Sequence, residues 1–224
     1  MRPEFSSKGF ALTELLVALS ISSIVVAGIY SAFHSQQKSY VAQEQIAAMH
    51  QNLRGAILFM GRDIRMAGYD PTGRSTAKIE TAQGNLLRIT MDMTDDSGTG
   101  DPDGDTADSG EDITYSLVDV DGDGDMDLVR NDTNGVGNQQ VAENIDALNF
   151  VYLDDDRLPT ADPLRIRSVQ VTVVARTAQR DPGYQDTRVY RNQQGETILT
   201  PPGGDSFRRK LLSEEFKCRN LGLK

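Results

Sequence analysis

Aspartates stand at every second position from Asp119 to Asp127, in the run Asp119-Val120-Asp121-Gly122-Asp123-Gly124-Asp125-Met126-Asp127. Carboxylates so spaced can fold round one hard cation, and the glycines permit the sharp turn this requires. Calcium takes roughly six to eight oxygen ligands, and loops of the form D-x-D-x-D-G supply them. Asp119, Asp121 and Asp123 stand where the leading ligands of a helix-flanked calcium loop would, and Gly124 matches its turn glycine. Arg130 occupies the place of the closing bidentate glutamate, and the flanks read as strands. The expectation is therefore a strand-bounded calcium loop closed by Asp127 or another acidic residue, with a solvated acidic turn as the alternative. Asp101, Asp103, Asp105 and Asp108 lie in a Gly/Ser/Thr-rich stretch with less regular spacing. They are expected to form a flexible surface loop, with a second calcium site as the alternative.

Glu14 could do chemistry of another kind. It is the one charged residue among the 24 from Phe10 to Phe33. Such a run makes roughly 36 Å of helix at about 1.5 Å per residue, enough for a bilayer core of about 30 Å. A carboxylate within it costs about 2.5–3.5 kcal/mol on insertion scales and needs a partner. The small residue Gly9 precedes the apolar run, whereas an ordinary secretory signal places its cleavage site after that run. Cleavage after Gly9 would uncover an α-amino group on Phe10, within one helical turn of Glu14. The helix N-terminus also favours an anion there. In a stack of such helices, Glu14 of one subunit can meet the Phe10 amine of the next. Arg2 and Lys8 precede the span, which predicts a cytoplasmic N-terminus and a head on the other side of the membrane.

The elements that must carry these residues follow from periodicity. Ala42, Ile46, Met49, Leu53, Ile57, Met60, Ile64 and Ala67 recur at helical spacing, with Gln, Lys, Arg and Asp on the other face. Gly68 and Asp70-Pro71 form a stop signal. Alternation then predicts strands at 77–82, 86–93, 112–118, 126–130, 147–153, 164–176 and 208–217, with 179–206 a loop holding one short strand. The fold class expected is α+β: a long helix whose C-terminal half packs on a mainly antiparallel sheet. The divisions expected are a leader (1–9), a transmembrane or filament-core half-helix (10–33), an amphipathic half-helix (34–68) and a β-rich head (69–224) with acidic loops in 92–132.

Charge narrows the partners. The net charge is −10, yet residues 92–132 hold 15 acidic residues and one basic residue, and the remainder of the chain is net +4. No basic face for nucleic acid is expected. The one cysteine, Cys218, permits no intrachain disulfide and reads as a buried thiol.

Gly9-Phe10-Ala11-Leu12-Thr13-Glu14 heading an apolar helix resembles the signal of type IV prepilins and type II secretion pseudopilins. The pattern is Gly at the cut site, Phe after it and Glu at the fifth mature position; Ala11 replaces the commoner hydroxyl residue. The resemblance implies cleavage between Gly9 and Phe10 by a prepilin peptidase, N-methylation of Phe10, and assembly through Glu14. Phe59-Met60-Gly61-Arg62-Asp63-Ile64-Arg65-Met66-Ala67-Gly68-Tyr69-Asp70-Pro71, the segment 142–150 and the close Cys218-Arg219-Asn220-Leu221-Gly222-Leu223 resemble PilW-type minor pilins and the related J-type pseudopilins. The pilin fold would then hold, with the chain in the inner membrane before assembly and in the pilus after it. Partners would be membrane lipid, major and minor pilins along the first helix, the peptidase and the inner-membrane assembly platform.

The leading expectation is an assembly protein, a PilW-like minor pilin priming a tip complex. The alternatives are a J-type pseudopilin of type II secretion and, from another class, a membrane-tethered calcium-dependent adhesin. No nucleophile–base pair, metal triad or phosphate loop points to an enzyme.

Overall fold

The computed structural model describes Gly9, residues 11–97 and residues 100–222. Helix α1 (Leu12–Met66) is followed by β1 (Ile79–Ala82), β2 (Leu87–Thr90), β3 (Asp112–Val118), β4 (Asp127–Asp132), β5 (Gly137–Ala142), β6 (Ile145–Leu153), β7 (Ser168–Arg176), β8 (Tyr190–Arg191), β9 (Thr197–Leu199) and β10 (Arg209–Lys217). The fold is α+β, a long N-terminal helix followed by antiparallel sheets. The chain divides into two compact units, one ending at Glu44 and the other starting at Gln45.

In the first unit every described residue from Ala11 to Val41 is exposed. The helix there includes a stretch long and apolar enough to cross a membrane. Ser20 and Ser23 do not interrupt it, because their hydroxyls donate to the carbonyls of Leu16 and Ser20, each at 2.8 Å. A hydroxyl satisfied by its own helix is tolerated in lipid.

In the second unit the strands, among the described residues, form three antiparallel sheets rather than the one expected. A meander runs β1-β2-β3-β4-β5, β7 lies between β10 and β6, and β8 pairs with β9. The helical stripe buries Met49, Leu53, Ile57, Met60 and Ile64 in one cluster with Ile89, Ile113, Tyr115, Phe150, Val171 and Phe216. Gly61 belongs to this contact, since a Cβ there would collide with the Phe216 ring. The exit from α1 follows the stop signal. Gly68 takes φ +75°, the left-handed conformation that favours glycine, and its N–H donates to the Thr90 carbonyl at 3.0 Å.

Asp63 departs from the polar face expected of it. It is buried, accepting the Tyr115 hydroxyl at 2.8 Å and Arg130 Nε at 2.7 Å. This triad ties the end of the helix to β3 and β4. The polar segment 179–206 holds two short strands, β8 and β9, where one was expected, and β5 was not anticipated at all.

Strand β3 separates the two acidic segments. Thr90 pairs with Asp112 at its start and Asp127 with Val118 at its end. The segment 91–111 is thus an excursion between β2 and β3, and 119–126 is the hairpin loop between β3 and β4. The ends of a seven-residue strand lie about 20 Å apart, so these are separate sites.

Candidate functional site

The N-terminal site is built on the first turn of α1. Glu14 Oε2 accepts the Ala11 N–H at 3.0 Å, while the Ala11 carbonyl accepts the Glu14 and Leu15 N–H groups at 3.0 and 3.2 Å. The acid therefore folds back on its own helix end, as the glutamate of a capping box does. Its charge is favoured by the helix dipole, and this offsets part of the cost of an acid in an apolar run. Gly9 is exposed and has no atom near the position of a Cβ. Among the described residues neither space nor a left-handed backbone requires glycine there. Phe10, the expected new N-terminus, lies outside the described residues.

The 119–127 loop is strand-bounded, as expected from its flanks. Gly122 and Gly124 take φ of +78° and +90°, and their N–H groups donate to the two oxygens of Asp119, at 2.7 and 3.2 Å. Asp119, Asp121 and Asp123 are exposed, with one oxygen of each within 4.8 Å of the others; Asp121, Asp125 and Asp127 form a second such set. The later members are already engaged. Asp125 pairs with Arg176 at 3.2 Å, and burial is the main cause raising its pKa. Asp127 is buried, and its two oxygens accept the Val120 and Asn144 N–H groups at 3.4 and 3.3 Å. The solvent-exposed carboxylates of this loop are those of Asp119, Asp121 and Asp123, each accepting backbone N–H groups of the loop itself.

The segment expected to be a plain surface loop has a buried floor. Glu111 is fully buried and its Oε1 accepts the Met93 and Thr94 N–H groups at 2.6 and 2.8 Å. Asp92 is also fully buried. The cue in the sequence is that Glu111-Asp112 abuts a strand running directly into Ile113, so these acids enter the core with it. Cys218 is buried, and desolvation pushes its thiol up to about 12, so it stays protonated and unreactive.

Comparison with known proteins bears on the N-terminal site. No curated protein matches the chain. Among solved structures, a type IV-like pilin from Thermus thermophilus is similar at a TM-score of 0.48 and 16% identity, covering 77% of this chain and 98% of that one. Residues 5–30 match the family described as the prokaryotic N-terminal methylation motif. The chain thus carries, at residues 5–30, a match to the prokaryotic N-terminal methylation motif, and its first helical turn with Glu14 lies inside that match.

Proposed function

We propose that the chain is a minor pilin of PilW type, cut between Gly9 and Phe10 by prepilin peptidase, methylated on Phe10, and active in starting pilus assembly. It would sit in the inner membrane with its head in the periplasm until it enters the filament. One observation carries the proposal: the apolar start of α1, exposed from Ala11 to Val41 and with a single acid in its first turn, overlaps the matched methylation motif at 5–30. Such a helix is stable only in lipid or against other helices. A J-type pseudopilin would use the same helix. Loss of pili on deletion supports the pilus assignment, and loss of secretion with pili intact supports the other.

Maturation gives the direct test. The protein from native membranes is expected to begin at N-methylated Phe10 by intact-mass analysis, and Gly9→Leu should retain the leader and run slower on a gel. A mature chain starting elsewhere, or a Gly9→Leu product of normal mobility, removes the basis of the proposal.

Calcium in the 119–127 hairpin forms a second part of the proposal, with Asp119, Asp121 and Asp123 as its main ligands. The Asp121→Asn/Asp123→Asn chain is expected to bind one calcium fewer than the parent by titration calorimetry. Equal stoichiometry in the two proteins would exclude this loop as a site.

A further inference from the structure

The excursion between β2 and β3 gathers carboxylates round Asp108. One oxygen each of Asp96, Asp103 and Asp108 lies within 4.8 Å of the others, and the same holds for Asp105, Asp108 and Glu111. Two oxygens on opposite sides of a calcium ion, each about 2.4 Å from it, are separated by about that distance. The two triads share Asp108 but do not merge into one set, so an ion seated on Asp108 and Glu111 takes Asp105 as its third carboxylate. Glu111 is held for this role: Oε1 is fixed by two backbone N–H groups, while Oε2 has a single long bond of 3.4 Å from the Asp108 N–H.

Three buried oxygens at this corner have no hydrogen-bond partner. Asp92 is fully buried; its Oδ2 accepts the Thr72 hydroxyl at 3.2 Å, and its Oδ1 accepts nothing. It lies against the loop, next to the Gly104 backbone and the charge of Asp103. Asp132 is buried on the other side, with Oδ2 accepting the Ser109 hydroxyl at 3.2 Å and Oδ1 unpartnered. Asp108 Oδ2 is likewise buried and unpartnered. Buried carboxylate oxygens are ordinarily paired, because leaving them unpaired in a low dielectric is costly. Among the described residues no Lys or Arg forms an ion pair with Asp92, Asp96, Asp103, Asp105, Asp108 or Glu111. Burial pushes the Asp108 pKa up, and the charges of Glu111, Asp103, Asp96 and Asp105, all negative, add to that rise.

We propose that this corner binds a calcium ion held by Asp105, Asp108 and Glu111, with the neighbouring Asp103 and the buried Asp92 adding negative charge to the attraction. The donors are hard oxygens on an irregular loop, which suits calcium better than the smaller, strictly octahedral magnesium. The ion neutralises the carboxylates that fold against one another and thereby fixes the connection between β2 and β3.

The test uses the full chain in detergent micelles, with Asp121→Asn and Asp123→Asn in place so that the β3–β4 hairpin does not contribute. This parent is expected to bind one calcium. At a hundredfold excess over Kd its melting temperature should rise by about 5–10 °C, with a smaller rise in magnesium. Adding Asp108→Asn should abolish both binding and shift. In EDTA the Asp108→Asn chain should melt no lower than the parent, because one of the repelling charges has gone. The proposal is overturned if the parent neither binds calcium nor shifts, or if Asp108→Asn binds as the parent does. It is equally overturned if Asp108→Asn lowers melting alike in EDTA and calcium, which marks a role in folding only.

Discussion

Replacing Asp63 with Leu is expected to destabilise the unit from Gln45 onward by about 3–5 kcal/mol, the usual result of removing one partner of a buried ion pair. The Asp63 carboxylate receives a guanidinium N–H from Arg130 and a hydroxyl from Tyr115, on two adjacent strands. With Leu in its place, Arg130 retains a largely buried charge without its partner, and the fully buried Tyr115 hydroxyl loses its acceptor. For a chain of this size the loss corresponds to a fall in melting temperature of about 10 °C. Two companions separate charge from packing. Tyr115→Phe removes one hydrogen bond and should cost about 1–1.5 kcal/mol. The double variant Asp63→Leu/Arg130→Met removes both charges and should recover much of the loss, since apolar replacement of a whole buried pair is often neutral. Melting curves of the four proteins in detergent decide it. If Asp63→Leu melts with the parent, the triad does not hold α1 to the sheet.

Asp63 also shows what a linear reading misses. The stripe of Met49, Leu53, Ile57, Met60 and Ile64 is legible because apolar residues recur with the helical period, and each of them is buried. Asp63 stands three residues after Met60, hence on that same face, but its charge assigns it to the solvent side until a partner is known. That partner, Arg130, is 67 residues away, a separation invisible to local pattern. Strand β3 matches its expected bounds because apolar and polar residues alternate across it between acidic ends. Strand β5 escapes notice because Gly137-Asn138-Gln139-Gln140 has neither alternation nor β-branched residues. It is an edge strand, formed by the ladder that β4 offers rather than by its own side chains. The acidic segments differ in burial more than in composition. Asp119, Asp121 and Asp123 lie on the surface of a hairpin turn, whereas Asp92 and Glu111 are carried inward by the strands they adjoin.

The N-terminal motif is legible in the sequence because it rests on residue order within one turn of helix and needs no long-range contact. Its sharpest consequence concerns Glu14. In this structure the Ala11 N–H donates to one of its oxygens, and among the described residues no Lys or Arg forms an ion pair with it. Cleavage after Gly9 would place an ammonium group on the residue before Ala11, and packing with neighbouring helices would exclude the water and lipid headgroups around it. An ion pair closed in such surroundings is worth far more than one at a surface. Glu14→Leu should therefore act in two opposite directions. It removes an insertion cost of about 2.5–3.5 kcal/mol, so the matured protein should remain in the membrane at least as well as the parent. It also leaves the amine of a neighbouring subunit unpaired, at about 3 kcal/mol or more, which lowers the equilibrium for joining the filament by a factor of about 100. The expected result is normal cleavage, undiminished membrane content and near-absence of the chain from the sheared pilus fraction, read by immunoblot, with few pili by electron microscopy. A membrane pool that falls together with the pilus fraction would indicate failed insertion rather than failed pairing. A pilus fraction as full as the parent's would mean that Glu14 serves only its own helix, and that assembly draws its register from the apolar side chains.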